Sequence, residues 1–454
     1  KPFVDPSMET LFKTSLWLLL ALLIFCAEAS EPEDPIKAIL QTTLDTYGES
    51  DYFTGMQFSY LAHGADEAIT STVGFTSKEK TQPITADTLF GWGSITKEFI
   101  NTVLLSLEAE GKIALTDTLF EKLPEYFVKH SWPDMWKDVT IYQLLNMTSG
   151  IPDYVDVLFT EIAEGKYPSL VDVIEMPWTF TEIVDVASNF QHTQLSVCKE
   201  YNFCFEPGAR WRYSNTDYIL AGILIEEISG DSVLNLVNSI VYSQLPSDGI
   251  VYYEAGATPE PQVLSQFAQG YGSTTVTGPP VVANGTKWPY YLEGPAGGMI
   301  GNTAAMTSIV KALYGGKIVG QTTTKQFLYD YFVNITTGDL VKDLETDCLP
   351  LHCFGLGVMY QHSTTYGGIY FYEGRPLAYE SVYLYLPCYD LAVAVSRNSS
   401  DIHLSELKDL LFTQLANLKL VNPEVYQTEV NPAFCPATNS KAAPNFLGDD
   451  IQVQ

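Results

Sequence analysis

Apolar residues Ile36, Ile39, Leu40 and Leu44 recur at helical spacing over residues 35–48, and Gly48 is placed to stop that helix. Two stretches of strand-like alternation follow, Met56–Leu61 and Ala68–Phe75, joined by a His63-Gly64-Ala65-Asp66 turn. From Ser94 to Glu110 the pattern turns helical again. Phe99, Ile100, Val103, Leu104 and Leu107 form one apolar face, and Gly111 ends it. Residues 137–147 predict a helix running into the turn Thr148-Ser149-Gly150-Ile151-Pro152. The acidic, aromatic region 153–200 carries helical patterns and reads as a second lobe or an insertion over a cleft. An apolar helix is expected over 217–230, and a loop rich in Gly, Thr and Pro over 270–290. Residues 354–360, 366–373 and 380–396 alternate like antiparallel strands, and a helix from Ser405 to Leu418 closes the set. Strands at both ends with helices between them predict an α+β fold. Its antiparallel sheet, flanked by helices, would hold the first and last strands together, with a helical lobe between them. No internal repeat is apparent.

Composition narrows the class. With 454 residues, 46% hydrophobic and 17% charged, the chain can build a large core. One catalytic domain over residues 35–420, followed by a polar tail over 421–454, fits better than a string of small modules. Acidic residues outnumber basic ones 54 to 24, a formal charge of −30 that repels nucleic acid and anionic membranes. Arginine is scarce: Arg210, Arg212, Arg375 and Arg397 are the full set.

The N-terminus reads as an address. Lys13 precedes an apolar run from Leu16 to Ala27, and Ala27-Glu28-Ala29 has the small-x-small form of a cleavage site. That run is too short to span a bilayer, so residues 1–29 are expected to be a cleaved secretory signal, leaving no stable membrane span. Met8 is a plausible true start, with residues 1–7 non-native. The remaining cysteines are Cys198, Cys204, Cys348, Cys353, Cys388 and Cys435. An even set in an exported chain suggests disulfides. Proximity favours Cys198–Cys204 and Cys348–Cys353, which leaves Cys388–Cys435 to tie down the tail. The spacings carry no zinc pattern. Four N-x-[ST] sequons begin at Asn146, Asn284, Asn334 and Asn398, and the first lies in a segment expected to be packed.

No G-x-S-x-G, H-E-x-x-H or phosphate-binding G-x-x-x-x-G-K-[ST] is present, and all six histidines lie outside the motifs below. The candidate chemistry is an S-x-x-K. Five copies exist, at Ser77, Ser94, Ser196, Ser308 and Ser405, so the pattern alone carries little weight. Only Ser94-Ile95-Thr96-Lys97 follows an apolar approach, Leu89-Phe90-Gly91-Trp92-Gly93, and opens a strongly amphipathic helix. Serine and lysine three apart share a helical face, and a partly desolvated lysine can act as the base that turns a serine into a nucleophile. The helix N-terminus favours the negative charge that then develops. A second element, Tyr213-Ser214-Asn215, occurs once. An ammonium beside Tyr213 would favour its anion and let it move protons between Ser94, the leaving group and water. Taken alone, Tyr213 would be an ordinary core tyrosine.

Together these residues resemble the serine β-lactamase superfamily: class C β-lactamases, D-Ala-D-Ala carboxypeptidases and related esterases. The resemblance runs from about residue 50 to 420. Its pieces are Thr88-Leu89-Phe90 ahead of the S-x-x-K, Glu110 to Leu115, Leu144 to Ile151, Pro207-Gly208 before Tyr-Ser-Asn, and Ala296-Gly297-Gly298-Met299 at the opening of a later helix. The resemblance implies that Ser94 attacks an acyl carbonyl while Lys97 and Tyr213 share the base role. Asn215 would orient Lys97 and the substrate. The oxyanion would sit between the Ser94 N–H and a backbone N–H on an edge strand. No metal or organic cofactor is implied. The expected substrate is a small peptide of D-Ala-D-Ala type, a β-lactam or an ester, with carboxypeptidase-like hydrolysis favoured. An esterase or D-amino-acid peptidase follows closely, and a non-catalytic binding protein on the same fold is the rival. Nothing in the sequence speaks to oligomeric state.

One motif departs. Where the superfamily has K-T-G or H-x-G, this chain has Tyr372-Glu373-Gly374, followed by Arg375. Tyr372, Gly374 and Arg375 are the candidate substrate-binding residues. The glycine is kept and the cationic or imidazole group is not. Arg375 either replaces the lost charge or forms an ion pair with Glu373 or Glu380. Asn146, at a position where the superfamily often has histidine, is a milder departure.

Overall fold

The structure is a computed structural model. It describes residues 34–400 apart from 170–171, 174–175, 190–197, 199–203, 243–249, 253–260, 273–289, 349–351, 364–365 and 377. The expected signal peptide, the helix expected over 405–418, the tail and most of the 270–290 loop fall outside the described residues.

Helix α1 (Pro35–Tyr47) opens the chain, with Asp34 capping it by accepting a hydrogen bond from the Ile36 N–H and with Gly48 at its C-cap. Among the described residues one antiparallel sheet of eight strands forms the centre, in the order β2-β1-β11-β10-β9-β8-β7-β6. Strands β1 (Gly55–Leu61) and β2 (Ile69–Gly74) are the predicted hairpin. β1 pairs with β11 (Leu391–Arg397), Met56 opposite Arg397 and Leu61 opposite Ala392, so the two ends of the chain share the sheet as expected. The stretch over 380–396, expected to be continuous, is two strands. β10 (Glu380–Leu386) turns at Pro387-Cys388-Tyr389 and Asp390, with Asp390 in the left-handed region, into β11. β9 (Gly367–Gly374), β8 (Met359–Ser363), β7 (Cys353–Phe354) and β6 (Val333–Asn334) complete the order.

Both faces of this sheet are covered, and period-two side chains show how. In β10 and β11, Val382, Leu384, Val393 and Val395 pack with Ile36 and Leu40 of α1 on one face. Tyr383, Tyr385, Ala392 and Ala394 face the opposite way. That second face holds the main core, built on helices α2 (Thr96–Ala109), α3 (Tyr154–Ala163), α4 (Phe180–Ser188), α5 (Asn215–Ser229) and α7 (Thr303–Tyr314). The small side chains of Ala392 and Ala394 let α7 approach the sheet closely. The helix expected over 137–147 is shorter, Ile141–Leu145, preceded by a single turn at Asp134–Trp136. Ala296-Gly297-Gly298-Met299 does not open a helix. It ends the kinked helix α6 (Tyr290–Gly297) and enters β5 (Met299–Gly301). Strand β5 forms a small second sheet with β3 (Phe90–Gly91) and β4 (Ile250–Tyr252).

Cys198–Cys204 and Cys348–Cys353 are disulfides, as proximity favoured. Cys388 is also disulfide-bonded, while its expected partner Cys435 lies outside the described residues. Among the described residues no helix is long and apolar enough to cross a membrane, and no cluster of His, Cys, Asp and Glu could hold a metal ion. Asn146 and Asn398 are buried with both ends of their amides hydrogen-bonded, which leaves no room for a glycan at either.

Candidate active site

Ser94 sits in a single tight turn, Gly93–Ile95, that feeds directly into α2. Gly93 (φ 53°) and Gly374 on β9 let this turn lie against the sheet. A Cβ on Gly374 would fall 1.7 Å from the Trp92 carbonyl oxygen, and one on Gly93 would fall 2.9 Å from the Arg375 amide nitrogen. The same hypothetical Gly374 Cβ lies 3.1 Å from the Ser94 amide nitrogen. Two backbones therefore meet where the Ser94 N–H and the end of β9 are neighbours. The expectation of an edge strand needs correction, because β9 lies between β10 and β8. Its pairing with β8 stops at Phe371, however, so Tyr372, Glu373 and Gly374 pair only with β10. This end of an interior strand is locally free on one side.

The structure brings Ser94, Lys97, Tyr213 and Asn215 together. Lys97 Nζ donates to Ser94 Oγ at 3.0 Å, to Asn215 Oδ1 at 2.8 Å and to the Ala296 carbonyl at 2.6 Å. Ser94 Oγ and Tyr213 Oη are 2.5 Å apart. Asn215 begins α5 and Tyr213 lies just before it, so one helix start supplies both partners. The lysine is fully buried, while the serine, tyrosine and asparagine keep partial exposure.

Burial sets the electrostatics. It lowers the Lys97 ammonium to about 7, opposed first by Asp153 and then, when ionised, by Glu293 and Asp217. Near neutral pH a substantial fraction of Lys97 is therefore a free amine. Tyr213 goes the other way from the sequence expectation. Burial raises its phenol above the ordinary value, with Lys97 Nζ 5.0 Å from the ring centroid and both groups meeting at Ser94 Oγ. Burial thus favours the neutral phenol at Tyr213. Burial also raises Asp153 to about 6 and Glu293 to about 8, and raises Asp217 well above its usual range.

With this geometry in view, the similarities become specific. The sequence matches the family described as Beta-lactamase over residues 40–417, most of its 454 residues. The chain belongs to the Beta-lactamase family. Penicillin-binding protein 4* of Bacillus subtilis is 25% identical over 341 residues, 74% of this chain and 66% of that protein. A β-lactamase of Escherichia coli is 29% identical over 150 residues, 32% of this chain and 37% of that enzyme. The chain thus spans about two thirds or less of the length of these relatives. A D-amino acid amidase from Ochrobactrum anthropi SV3, in complex with L-phenylalanine amide, superposes with a TM-score of 0.65 at 21% identity, covering 85% of this chain and 97% of the amidase. A penicillin-binding protein from Bacillus halodurans gives 0.61 at 21% identity, covering 82% and 99%. These two show the β-lactamase and transpeptidase fold.

The β9 side of the site carries no cationic or imidazole side chain at Tyr372. Tyr372 is buried, with its hydroxyl close enough to Tyr213 to perturb that phenol but without a well-formed hydrogen bond to any described group. Arg375 is exposed, and its Nε faces Glu380 Oε1 at 3.6 Å. Glu380 itself is buried and held by Arg397 through Nη2 at 2.6 Å and Nε at 2.7 Å, while Arg397 Nη1 reaches Asp51 Oδ2 at 3.3 Å. Of the two roles weighed for Arg375, the ion pair with Glu380 is the one its side chain adopts here. Asn146 is structural: its amide donates to the Tyr331 carbonyl and accepts from Thr148.

Sequence reasoning missed Asp153, Glu293 and the Ala296 carbonyl. Asp153 directly follows the Thr148-to-Pro152 turn and could have been found as the first carboxylate beyond it. Glu293 stands three residues before Ala296 on a segment whose helical pattern is broken by Gly294 and Pro295, so periodicity gave no signal there.

Proposed function

We propose that this protein is a serine hydrolase that forms an acyl-enzyme at Ser94, and that its substrates are small amides or esters without a carboxylate at the leaving-group end. The observation that carries the first half is Ser94 Oγ held between the Lys97 amine at 3.0 Å and the Tyr213 hydroxyl at 2.5 Å. In the reaction, neutral Lys97 takes the Ser94 proton as Oγ bonds to the carbonyl carbon. Negative charge moves to the carbonyl oxygen, where the Ser94 N–H and the Arg375 N–H at the end of β9 are the candidate donors. Collapse breaks the C–N or C–O bond, and the proton passes through Tyr213 to the departing amine or alcohol. Water then attacks the acyl-serine and gives its proton back along the same path, freeing Ser94 and the acid product.

The substrate half rests on the β9 side. A carboxylate-ended peptide would meet Tyr372, which brings no charge, and an arginine already drawn towards Glu380. This weighs towards neutral amides and esters over the carboxypeptidase-like hydrolysis that the sequence favoured. The D-amino acid amidase fold neighbour is compatible with that choice. The disulfides and the signal-like N-terminus support an exported enzyme. Steady-state turnover of paired substrates, an amide and the same acyl group leaving as a carboxylate-ended peptide, tests the assignment. A kcat/KM higher for the amide is expected, and preference for the carboxylate-ended peptide would overturn the substrate half.

A further inference from the structure

The side-chain amide of Asn215 can face either way, and only one orientation offers oxygen to Lys97. Here Oδ1 accepts from Lys97 Nζ at 2.8 Å, while Nδ2 donates to Asp153 Oδ2 at 2.9 Å. Asp153 is buried and its other oxygen is occupied: Oδ1 accepts from the Val155 N–H at 3.0 Å and caps α3. An ionised carboxylate only accepts, so it can hold only the NH2 side of the amide. We infer that Asp153 is a positioning residue for this reaction: through Asn215 it keeps an oxygen on Lys97, and its negative charge sets the pH range in which Lys97 is a free amine. This rests on the reading of Lys97 as the base for Ser94.

Other groups around the pair do not replace it. Lys97 is faced by the carboxyls of Asp153, Glu293 and Asp217 and by the rings of Tyr213 and Tyr218, the latter at 5.4 Å. Asp217 accepts from Ser149 Oγ at 2.7 and 2.9 Å, and Glu293 acts on Lys97 through its charge. Asp153 in turn is faced by Asp156, Lys97 and Asn215, and it acts on the phenols of Tyr154 and Tyr213 and on Asp217. Asp156 itself pairs with Arg212 at 2.9 Å. Among the described residues, Asp153 is the one of these three carboxyls joined to Lys97 through a continuous chain of hydrogen bonds. Its anion stabilises the ammonium, so removing the charge extends the free amine to lower pH.

The test is the pH profile of kcat and kcat/KM for p-nitrophenyl acetate, measured on the full chain. Asp153→Ser keeps a good helix cap but loses both the charge and the reach to Asn215. Its acid limb should move down by ~0.5 pH unit or more, and its plateau kcat should fall about tenfold. Asp153→Glu retains the charge and should keep the limb near the wild-type position. Added to Asn215→Ala, Asp153→Ser should still shift the limb but cost no further kcat, because the residue it acts through is gone. A lowered Tm with an unmoved limb in Asp153→Ser would show a helix cap and nothing more, and would overturn the inference. Wild-type protein without Ser94-dependent turnover would overturn the proposed function with it; a wild-type limb near 7 that Asp153→Ser leaves in place overturns this inference alone.

Discussion

The two walls of the site are built differently. On the helical wall, Ser94, Lys97, Tyr213 and Asn215 come from two helix starts and close into one hydrogen-bonded set, with Asp153 and the Ala296 carbonyl behind them. On the sheet wall, the end of β9 keeps the glycine that lets backbones meet but carries a buried tyrosine and an arginine turned towards Glu380. On the proposed reading, making an acyl-serine needs the first wall and two backbone N–H groups. Choosing the substrate needs side chains on the second. A change confined to the sheet wall therefore alters what is bound more than what is done to it.

The comparison breaks most severely on the helical wall. Tyr213→Phe should lower kcat by about 10²–10⁴-fold with little change in KM, because the proton path is lost and binding is not. Stopped-flow separation of acylation from deacylation would show both steps slowed. A loss confined to KM would place Tyr213 on the substrate side instead.

Gly374→Ala comes next and tests the one feature both walls share. The new Cβ would collide with the Trp92 carbonyl and push the Ser94 turn from β9. It should lower stability by about 1–3 kcal/mol in thermal denaturation and reduce kcat by more than that destabilisation alone explains. Unchanged kcat in a folded variant would remove the end of β9 from the chemistry.

The pH dependence is a subtler reading of the same contrast. Because Lys97 must be a free amine and burial has lowered it to about 7, kcat/KM should rise with pH through about 7 and then level off. A group lowered in the folded state binds fewer protons than in the unfolded chain, so Lys97 opposes folding below 7, and that penalty fades as pH climbs towards its ordinary 10.5. The smallest effect is expected at Arg375. Arg375→Ala should change KM for amide and carboxylate-ended substrates by less than about threefold alike, since the guanidinium serves Glu380. A selective rise in KM for carboxylate-ended substrates would return the lost charge to Arg375.

How much was legible in the sequence follows the same division. The S-x-x-K and Tyr-Ser-Asn elements were readable because the chemistry fixes their residue types and a helix start fixes their spacing. The shared sheet was readable from alternation at both ends, and β1 does pair with β11. Between β10 and β11 the alternation ran straight through Pro387, Cys388 and Tyr389, which are buried, and the half-buried Asp390 that closes the turn was too slight a signal against them. For Tyr213 the balance is three-dimensional: burial raises the phenol while Lys97 Nζ lies 5.0 Å from the ring centroid, and neither is visible in the sequence. Asp153, Glu293 and Ala296 converge on Lys97 from 56, 196 and 199 positions away; the segments holding Asp153 and Ala296 were marked by motifs, but their meeting at Lys97 and the place of Glu293 were not.

The most direct test of the account is intact-mass spectrometry of the mature protein after brief exposure to an activated ester or a penicillin, beside Ser94→Ala. The account predicts an added acyl mass on the wild type, mapped to the Ser94 peptide and absent from the variant. An adduct that persists in Ser94→Ala, or turnover by that variant at the wild-type rate, would contradict it.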